Sequence, residues 1–455
     1  MPKPLLFNAF EMLVPSHQSP GLWRHHRDEG RRYTELGYWT SLAQTLEEGG
    51  FHGIFFADIL GQYDVFGGSA EESVRGGVQF PQLDPMLLVS ALAQATRRIG
   101  FGVTASVTYE HPYLLARRLG TLDHLTGGRV AWNIVTSYQD SAARNLGLNG
   151  QIPHDERYDR AEEYMDVVYK LLEGSFDDDA VTVDTEANVY TDPDKVRGIG
   201  HQGSAFQVPG PALVEPSPQR TPLLFQAGAS SRGREFAAKH AEAIFFSGYT
   251  PEMTRTWVDS VRDGLASAGR RRDAVKIFAM ATVITAETDE EAQQKFNEYS
   301  EYIDAEAALA LFAGWTGVDL SDVDLDAPLE YIKTEGNQSA LAAFTTMDPS
   351  RTWTARELAR FIGIGGRGPV LIGSPQTIAD ELERWQDVGD VDGFNLSSAV
   401  RPADLADFAR LVSPELRRRG LLESPDAETF RGIITGGESR LPADHYGARF
   451  RNIQG

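Results

Sequence analysis

The sequence predicts a (β/α)8 barrel of the TIM type, and three observations favour that fold. Eight short apolar runs recur along the chain. Most of them alternate with stretches whose apolar residues recur at helical spacing. Polar residues gather at the carboxyl ends of several runs, where barrel enzymes carry their active sites. An open, doubly wound sheet is the alternative, because it shows the same alternation of strands and helices.

The first half of the chain supplies four predicted strands, at residues 5–10, 53–57, 99–108 and 130–135. Amphipathic helices are predicted between them, at residues 38–48 and 85–96. Asp84 is a plausible N-cap of the second helix, because its carboxylate can accept from a first-turn N–H. Gly127 and Gly128 then form the turn before the fourth strand, since glycine adopts positive φ without strain.

The second half supplies the other four strands, at residues 222–226, 243–246, 277–285 and 392–396. A helix with Asp155 as its expected N-cap carries Ala161, Met165, Val168 and Leu172 at helical spacing. Further helices are predicted at residues 251–268, 289–312, 378–388 and 404–419.

Two irregular stretches interrupt the alternation, at about residues 174–221 and 313–369. The first is rich in Asp, Pro and Gly, and the second lacks a clean period. We interpret the chain as one barrel domain, residues 1–455, with these stretches as insertions on its loops. Long loops on a barrel usually carry function or move.

Composition narrows the class of protein. The 455 residues have a formal net charge of −22, which opposes a nucleic-acid surface, because such a surface needs clustered basic residues. The absence of cysteine excludes disulfides and thiolate chemistry. The sequence contains neither a signal-peptide pattern nor an apolar run of membrane-spanning length, so we expect a cytoplasmic protein without a membrane.

A run of small residues after the fifth strand is a candidate phosphate site. Ala227, Gly228, Ala229, Ser230 and Ser231 let backbone amides approach a ligand, and the following helix N-terminus favours an anion. An ordinary capped turn explains the same residues equally well. Tyr158, in the first turn of another helix, could direct its hydroxyl to the same place, although a packing role is the simpler reading of it alone.

Other polar residues at predicted strand ends or in loops are ambiguous one at a time. Asp58 could bind a ligand or cap a helix, and His17 could transfer protons or simply be solvated. Tyr63 and Gln79 are equally open. Asn133 differs, because an amide inside an apolar strand must bond either to the protein or to a ligand.

Several familiar motifs are missing. Gly363, Gly365 and Gly368 have the spacing G-x-G-x-x-G, but the apolar run PVLIG follows them, whereas a dinucleotide site needs a strand before them and a helix after. We interpret them as a flexible loop. No Walker A motif or hydrolase triad is present. The ten histidines lack metal-binding spacing, so we expect no metal site.

Several longer segments, in order, resemble the flavin-dependent monooxygenases of the bacterial-luciferase superfamily. The branch is the one that contains the nitrilotriacetate, dibenzothiophene-sulfone, long-chain alkane and dimethyl sulfide monooxygenases. The resemblance covers nearly the whole chain and is carried by GLWRH from Gly21, ARRLGTLDHLTGGRVAWNIVTS from Ala116, HDERYD from His154, EPSPQRTP from Glu215 and QAGASSRGREFAAKHAE from Gln226. It implies the same barrel fold.

The resemblance also implies a cofactor and partners. The cofactor would be reduced FMN, FMNH2, delivered by a separate NAD(P)H-dependent flavin reductase, with O2 as co-substrate and a small molecule as substrate. A homodimer or homotetramer is expected by analogy. The implied cofactor-binding residues are Asp58, Thr104, Asn133, Ser137, Tyr138, His154, Tyr158, Ala227, Gly228, Ala229 and Ser230.

The expected substrate pocket comprises Phe10, Val14, His17, Ile59, Tyr63, Gln79 and Leu311, with His17, Tyr63 and Tyr138 as candidate catalytic residues. Val14, Tyr138 and Leu311 replace a cysteine and two histidines of the alkane enzyme. SHQS from Ser16, LALFAGWTG from Leu309, GRGPVLIG from Gly366 and ADELERW from Ala379 look closer to the dimethyl sulfide enzymes. We therefore expect oxygenation of a small organosulfur compound with C–S cleavage. The alternatives are an alkane, sulfone or aminopolycarboxylate substrate, a deazaflavin-dependent dehydrogenase and a non-catalytic flavin-binding protein.

Overall fold

A closed parallel barrel forms the centre of the computed structural model, which describes residues 3–227, 230–329, 352–423 and 426–452. Its strands are β1 (Leu6–Glu11), β2 (Gly53–Phe56), β3 (Gly100–Ser106), β4 (Val130–Val135), β5 (Leu223–Gln226), β6 (Ala243–Phe246), β7 (Lys276–Thr285) and β8 (Gly393–Ser397). Each strand pairs in parallel with its neighbour, and β1 pairs with β8 to close the ring. This closure confirms the predicted barrel and rules out the open sheet.

Helices surround the barrel and cover its outward-facing apolar side chains. They are α1 (Leu36–Gly49), α2 (Pro85–Ala95), α3 (Pro112–Thr126), α4 (His154–Tyr169), α5 (Ser231–His240), α6 (Pro251–Ser267), α7 (Asp289–Ser300), α8 (Ala305–Thr316), α9 (Ala355–Ile362), α10 (Pro375–Gly389), α11 (Ala403–Asp407), α12 (Ser413–Arg419) and α13 (Phe430–Thr435). Two shorter helices, Glu71–Arg75 and Asp140–Asn145, lie in loops. None of the described helices is long and apolar enough to cross a membrane.

Local sequence signals explain several helix ends. The Asp84 carboxylate accepts from the Met86 N–H at 2.8 Å and begins α2, as the sequence predicts. Helix α3 ends at Gly127, whose φ of 64° is the left-handed conformation expected of a glycine there.

Three predicted helices differ from the observed ones. Pro153, not Asp155, precedes α4, and Asp155 lies in its first turn. The helix predicted at residues 289–312 is two helices, because Asp304 caps a new start at α8 by accepting from the Ala307 N–H. The closing helix, predicted at residues 404–419, contains a wider π turn, Phe408–Val412, between α11 and α12.

Two irregular stretches interrupt the alternation of strands and helices. The first contains two small antiparallel hairpins, Val181–Asp184 with Val189–Thr191 and His201–Gln202 with Gln207–Val208. The second follows α8 and includes α9. An outer strand, Val370–Gly373, then pairs with the last four residues of β7. Residues 330–351 of this stretch are outside the described part of the chain.

Helix α13 plugs the amino end of the barrel, which we call the floor. Phe430 lies against Gly53 and Gly100, where a Cβ atom on either glycine would overlap its ring. Beside it, Arg431 forms a buried ion pair with Glu242 at 2.7 Å. The Gln219 amide donates to Asp123 and to the Val130 carbonyl, and its oxygen accepts from the Arg431 N–H. Phe430 therefore fills the floor, and Arg431 and Gln219 are hydrogen-bonded there, whereas Asn8 Oδ1 beside Gly53 has no partner among the described residues.

Candidate active site

Polar side chains from adjacent strands meet at the carboxyl end of the barrel, which we call the mouth. Thr104 on β3 is in register with Asn133 on β4, and the Asn133 amide donates to the Thr104 hydroxyl at 2.9 Å. The Thr104 hydroxyl donates to the Phe56 carbonyl at 2.8 Å. Just beyond β4, the Ser137 hydroxyl donates to Ser106 at 2.8 Å. Strand alternation and the barrel's register thus place these predicted residues together.

A chain of hydrogen bonds links four of the predicted residues. The Tyr63 hydroxyl donates to Gln79 Oε1 at 2.9 Å and lies 3.0 Å from the Tyr138 hydroxyl. The Gln79 amide donates in turn to the His17 carbonyl at 2.9 Å. Because Tyr63 has one proton and gives it to Gln79, the Tyr138 hydroxyl must be the donor to Tyr63. The Tyr138 oxygen keeps its lone pairs for other partners.

Two of the predicted residues at the mouth adopt a backbone conformation that non-glycine residues rarely take. Gln79 has φ of 49° and Ser137 has φ of 56°. Left-handed conformations of such residues cost about 1–3 kcal/mol and cluster at functional sites. The surrounding fold therefore holds these two side chains in place at a cost in stability.

His17 is buried and electrically neutral. Its ring packs edge-on against Phe10 with centroids 4.6 Å apart, and a ring N–H donates to the Phe10 carbonyl. Nε2 lies 3.1 Å from the Gln18 amide, which is placed to donate to it. Burial, together with the nearby Arg401 guanidinium, lowers the pKa of His17 to about 3. At neutral pH, His17 therefore acts as a hydrogen-bonding imidazole and not as an imidazolium acid.

The two tyrosines also remain protonated. Burial raises the pKa of Tyr63 well above its usual value, and the neighbouring Tyr138 adds to that shift. Burial likewise raises the pKa of Tyr138. Both side chains therefore offer neutral hydroxyls, which can hold or relay a proton without carrying charge.

Apolar side chains surround this polar chain. Beneath it, Phe10 contacts Phe245 with ring centroids 5.1 Å apart, in a cluster that includes Met280. Above it, Ile59, Leu311 and Trp315 pack with Tyr63 and Tyr138. Val14 is fully buried on the loop that carries His17. Apart from Val14, the predicted pocket residues are thus connected by contacts with one another or with their immediate neighbours, in largely apolar surroundings.

A second group of predicted residues lies at the start of α4 and α5. The Tyr158 hydroxyl faces the side chains of Ser230 and Thr136. His154 packs edge-on against the Tyr158 ring, with centroids 5.2 Å apart. Ser230 caps α5 by accepting from the Gly233 N–H at 3.0 Å. Ala227 follows β5 immediately, whereas Gly228 and Ala229 are outside the described residues.

Asp58 follows β2 at the mouth and caps no helix. Its carboxylate accepts from the Gln82 amide. Burial raises the pKa of Asp58 to about 8, and the nearby charges of Asp84 and Glu110 contribute to that shift. Asp58 is therefore largely protonated at neutral pH and can donate a hydrogen bond as well as accept one.

Two buried acceptors at the mouth test whether a flavin fits. Asn133 Oδ1 and Gln226 Oε1 have no hydrogen-bond partner among the described residues, and both side chains are less than 5% exposed. A buried acceptor without a partner costs about 1–3 kcal/mol, so a ligand that donates to it is favoured. A flavin ring carries such N–H groups, and its phosphate suits the hydroxyls and helix N-terminus at Ser230. The residues present fit FMN.

Arg401 is a buried residue that sequence reasoning missed. It follows β8 and donates to the carbonyls of Met12 and Val14 at 2.9 and 2.6 Å. It also pairs with Glu11 at 2.7 Å, and its N–H donates to Asp28. These contacts hold the loop that carries His17. An acidic residue at the end of β1, inside an otherwise apolar run, was the available sequence signal.

His25, His26 and Glu298 bring three possible metal ligands together away from the mouth. The Arg27 N–H donates to His25 Nδ1 at 3.2 Å, so the ring proton lies on Nε2. Nε2 then donates to Glu298 at 3.0 Å. In this arrangement the histidine serves as a hydrogen-bond donor, whereas a metal ligand needs a free lone pair.

Comparisons with known proteins agree with this geometry. A family model described as luciferase-like monooxygenase matches residues 12–392. The dimethyl-sulfide monooxygenase of Hyphomicrobium sulfonivorans is 48% identical over 99% of this chain and 95% of that protein. The long-chain alkane monooxygenase of Geobacillus thermodenitrificans strain NG80-2 is 46% identical over 100% of this chain and 99% of that protein. A crystal structure of riboflavin lyase with modified FMN superposes with TM-score 0.93 and 36% identity, covering 99% of this chain and 100% of that chain.

Proposed function

Because the chain belongs to the luciferase-like monooxygenase family, we propose that it is the oxygenase component of a two-component system. It uses FMNH2 and O2 to oxygenate a small organosulfur compound such as dimethyl sulfide, with cleavage of a C–S bond. A separate NAD(P)H-dependent flavin reductase supplies the FMNH2 in the cytoplasm. The protein acts as a homodimer or homotetramer.

The hydrogen-bonded chain from Tyr138 through Tyr63 and Gln79 to His17 is the observation that carries this proposal. Its hydroxyls are uncharged. They lie between the apolar cluster that contains Phe10 and the apolar cluster that contains Leu311. Such a site suits a small, weakly polar molecule and excludes water from the reaction.

The cofactor would lie across the mouth, with its two ends held by different residues. The phosphate end would be held by Tyr158, His154 and Ser230, together with residues 227–229. Asp58, Thr104, Asn133, Ser137 and Tyr138 hold the flavin ring. When bound and reduced, FMN supplies the two electrons and the oxygen-activating chemistry that the protein itself lacks.

The reaction balances with one oxygen molecule. Dimethyl sulfide, O2 and FMNH2 give methanethiol, formaldehyde, water and FMN. One methyl C–H bond becomes C–OH. The hydroxymethyl sulfide then loses its hydroxyl proton, forms the carbonyl and breaks the C–S bond, so that the electron pair leaves on sulfur. Tyr63 and Tyr138 can return a proton to that sulfur through their shared hydrogen bond. His17 supplies its main-chain carbonyl to the hydrogen-bonded chain, and its neutral imidazole packs on Phe10.

An organosulfur substrate is favoured over a long alkane by residues in the pocket. The alkane enzyme carries a cysteine and two histidines at the pocket positions matching Val14, Tyr138 and Leu311. Leu311 and Tyr138 belong to the apolar cluster that covers the site. Tyr63 leaves no room for a side chain at Gly314 of α8, since a Cβ there would overlap its ring. The 46% identity to an alkane enzyme makes alkane hydroxylation the second candidate.

A substrate panel tests the proposal. The purified protein, FMN, NADH and a flavin reductase are incubated with dimethyl sulfide, a long alkane, an aromatic sulfone and an aminopolycarboxylate. With dimethyl sulfide, we expect oxygen consumption and a product that mass spectrometry identifies as methanethiol. Hydroxylated alkane as the main product would replace the substrate assignment. FMN binding without turnover of any compound would indicate a non-catalytic flavin protein, and turnover without oxygen would indicate a dehydrogenase.

Substitutions at the phosphate end test the cofactor site separately. Tyr158→Phe and Ser230→Ala remove two hydroxyls, so each should weaken FMN binding several-fold in a fluorescence titration. Ser267→Ala is the matched control, because it removes an exposed hydroxyl at the last residue of α6, outside the candidate site. Unchanged affinity in both variants would place the phosphate elsewhere.

A further inference from the structure

The glycine-rich loop, residues 363–368, is tightly packed over the mouth and is not the flexible loop that the sequence suggested. A Cβ at Gly365 would lie 2.7 Å from the Thr282 hydroxyl, and one at Gly368 would lie 3.0 Å from Met280. Gly366 lies against Gln18, the neighbour of His17. Gly365 and Gly366 also have positive φ, of 80° and 65°. Glycine is required here because the loop backbone rests directly on the barrel.

This loop delivers one long cationic side chain, Arg367, to the mouth. Its guanidinium lies over the Trp315 ring, 5.0 Å from the centroid. Trp315 also contacts the Tyr63 hydroxyl. The charge of Arg367 lowers the pKa of Tyr63, of Tyr138 and of the buried Tyr249, although burial dominates all three. The guanidinium therefore lies close to the tyrosine hydroxyls of the site.

In the part of the chain that the structure describes, Arg367 stacks on Trp315 but forms no ion pair or hydrogen bond. Three other ionisable residues at the mouth are neutral or paired. Glu11 pairs with Arg401, His17 is uncharged, and Asp58 is largely protonated. In a protein of net charge −22, Arg367 is thus a guanidinium near the mouth without an ion-pair partner among the described residues.

An anion is the ligand that this charge favours. The ring of reduced flavin loses a proton near neutral pH and becomes an anion, whereas the oxidised ring is neutral. A half-buried guanidinium therefore stabilises the reduced form more than the oxidised form. We propose that Arg367 makes the site select reduced FMN over oxidised FMN. This inference rests on the proposed function, because it requires that the mouth binds FMN.

Such selection suits an enzyme that receives its flavin from another protein. The reduced flavin must be captured before it reacts with oxygen in solution, and the oxidised product must leave. A ligand shifts a binding equilibrium only through different affinities for its two states. A cation next to the ring supplies that difference.

Anaerobic titrations of the full chain with oxidised FMN and with dithionite-reduced FMN test the proposal. Arg367→Gln should weaken binding of reduced FMN about tenfold and leave the affinity for oxidised FMN within twofold. Arg367→Lys should keep most of the preference, because it keeps the charge. Arg360→Gln is the matched control, since it removes the same charge from an exposed position on α9.

The other outcomes overturn the inference in distinguishable ways. Equal weakening of both redox forms would show that Arg367 shapes the site and does not sense flavin charge. Unchanged FMN affinities with a raised KM for a substrate that carries a carboxylate would assign the guanidinium to the substrate. If the unaltered protein bound neither form, the proposed function would fail and this inference with it.

Discussion

The two ends of the barrel differ in what covers their buried polar groups. At the floor, Gln219 uses both its amide and its oxygen, and Arg431 pairs with Glu242. Asn8 Oδ1 has no partner there among the described residues, and it lies beside Gly53 beneath the Phe430 ring. At the mouth, Asn133 and Gln226 each keep a buried oxygen without a partner among the described residues. Unpartnered acceptors therefore occur at both ends, but Phe430 seals the one at the floor, whereas those at the mouth lie at the strand ends, where a ligand can bind.

Backbone strain does not separate the two ends. Gln79 and Ser137 at the mouth have positive φ, and so do Arg220 and Asp390, which precede β5 and β8 at the amino end. Packing does separate them. At the floor, Phe430 fits tightly against Gly53 and Gly100, because the lack of a side chain leaves room for its ring. We therefore expect the floor to contribute mainly to stability and the mouth mainly to binding.

Loss of the plug should produce the largest effect. Phe430→Ala removes a ring that is 1% exposed and leaves a cavity beneath Gly53 and Gly100. We expect the free energy of unfolding to fall by about 3–5 kcal/mol in a denaturant titration. FMN affinity, measured well below the transition, should not change. Leu87→Ala is the control, because Leu87 is 82% exposed and should cost little. Weaker FMN binding by the folded variant would break the proposed separation of the two ends.

A mouth substitution should instead affect turnover. His17→Ala removes the imidazole that packs on Phe10 and accepts from Gln18. We expect kcat to fall about 100-fold, because loss of the ring lets Phe10 and the neighbouring site residues shift from the reactive geometry, while FMN affinity stays within twofold. Steady-state kinetics and FMN titration measure the two quantities. Equal losses in both would show that His17 holds the cofactor and does not serve the reaction.

The same type of substitution at each end sharpens the comparison further. Asn133→Leu removes an unpartnered oxygen, so stability should change by only about 1 kcal/mol while FMN affinity falls about tenfold. Gln219→Met removes a fully bonded amide and should destabilise the protein by about 2–3 kcal/mol without changing FMN affinity. Thermal unfolding and flavin fluorescence titration separate the outcomes. Identical behaviour of the two variants would contradict the contrast.

A further expected effect is a dependence of stability on pH. The pKa of Asp58 is about 8 in the folded protein, above the value near 3.9 in an unfolded chain. Between about pH 4 and pH 8 the folded state therefore binds more protons, and this contribution to stability falls as pH rises. Asp58→Asn should reduce the fall of Tm between about pH 4 and pH 8, by a few degrees at most. Asp322→Asn, at an exposed position, is the control. An unchanged slope would show that Asp58 titrates normally.

The acidic side should show the opposite sign at the floor. Arg431 lowers the pKa of Glu242, so the stability from that pair is present at neutral pH and lost as pH falls through the lowered value. The two ends thus weaken in opposite directions of pH.

Most of the fold could be predicted from the sequence because it depends on period and burial. All eight barrel strands lie within a few residues of their predicted positions, since apolar runs between helical patterns specify buried parallel strands. The break at Asp304 escaped prediction because apolar residues continue through it at helical spacing. The plug Phe430–Thr435 escaped it because six residues carry no period long enough to read.

The site could be predicted only in part. Asn133 stood out alone, since an amide within an apolar strand needs a partner. His17, Tyr63 and Gln79 carried no local signal, and only the resemblance to a family grouped them. Arg367 and Arg401 were missed because their importance comes from contacts across the barrel, which no spacing in the sequence records.

The position of the plug has a consequence for how the protein is made. A ribosome synthesises β2 and β3 early, but Phe430, which seals the space beneath them, emerges only after the last barrel strand, β8. Until then the growing chain exposes an apolar hole at Gly53 and Gly100. Nascent copies must therefore wait with that hole open, so truncation before residue 430 should yield a chain that chaperones retain.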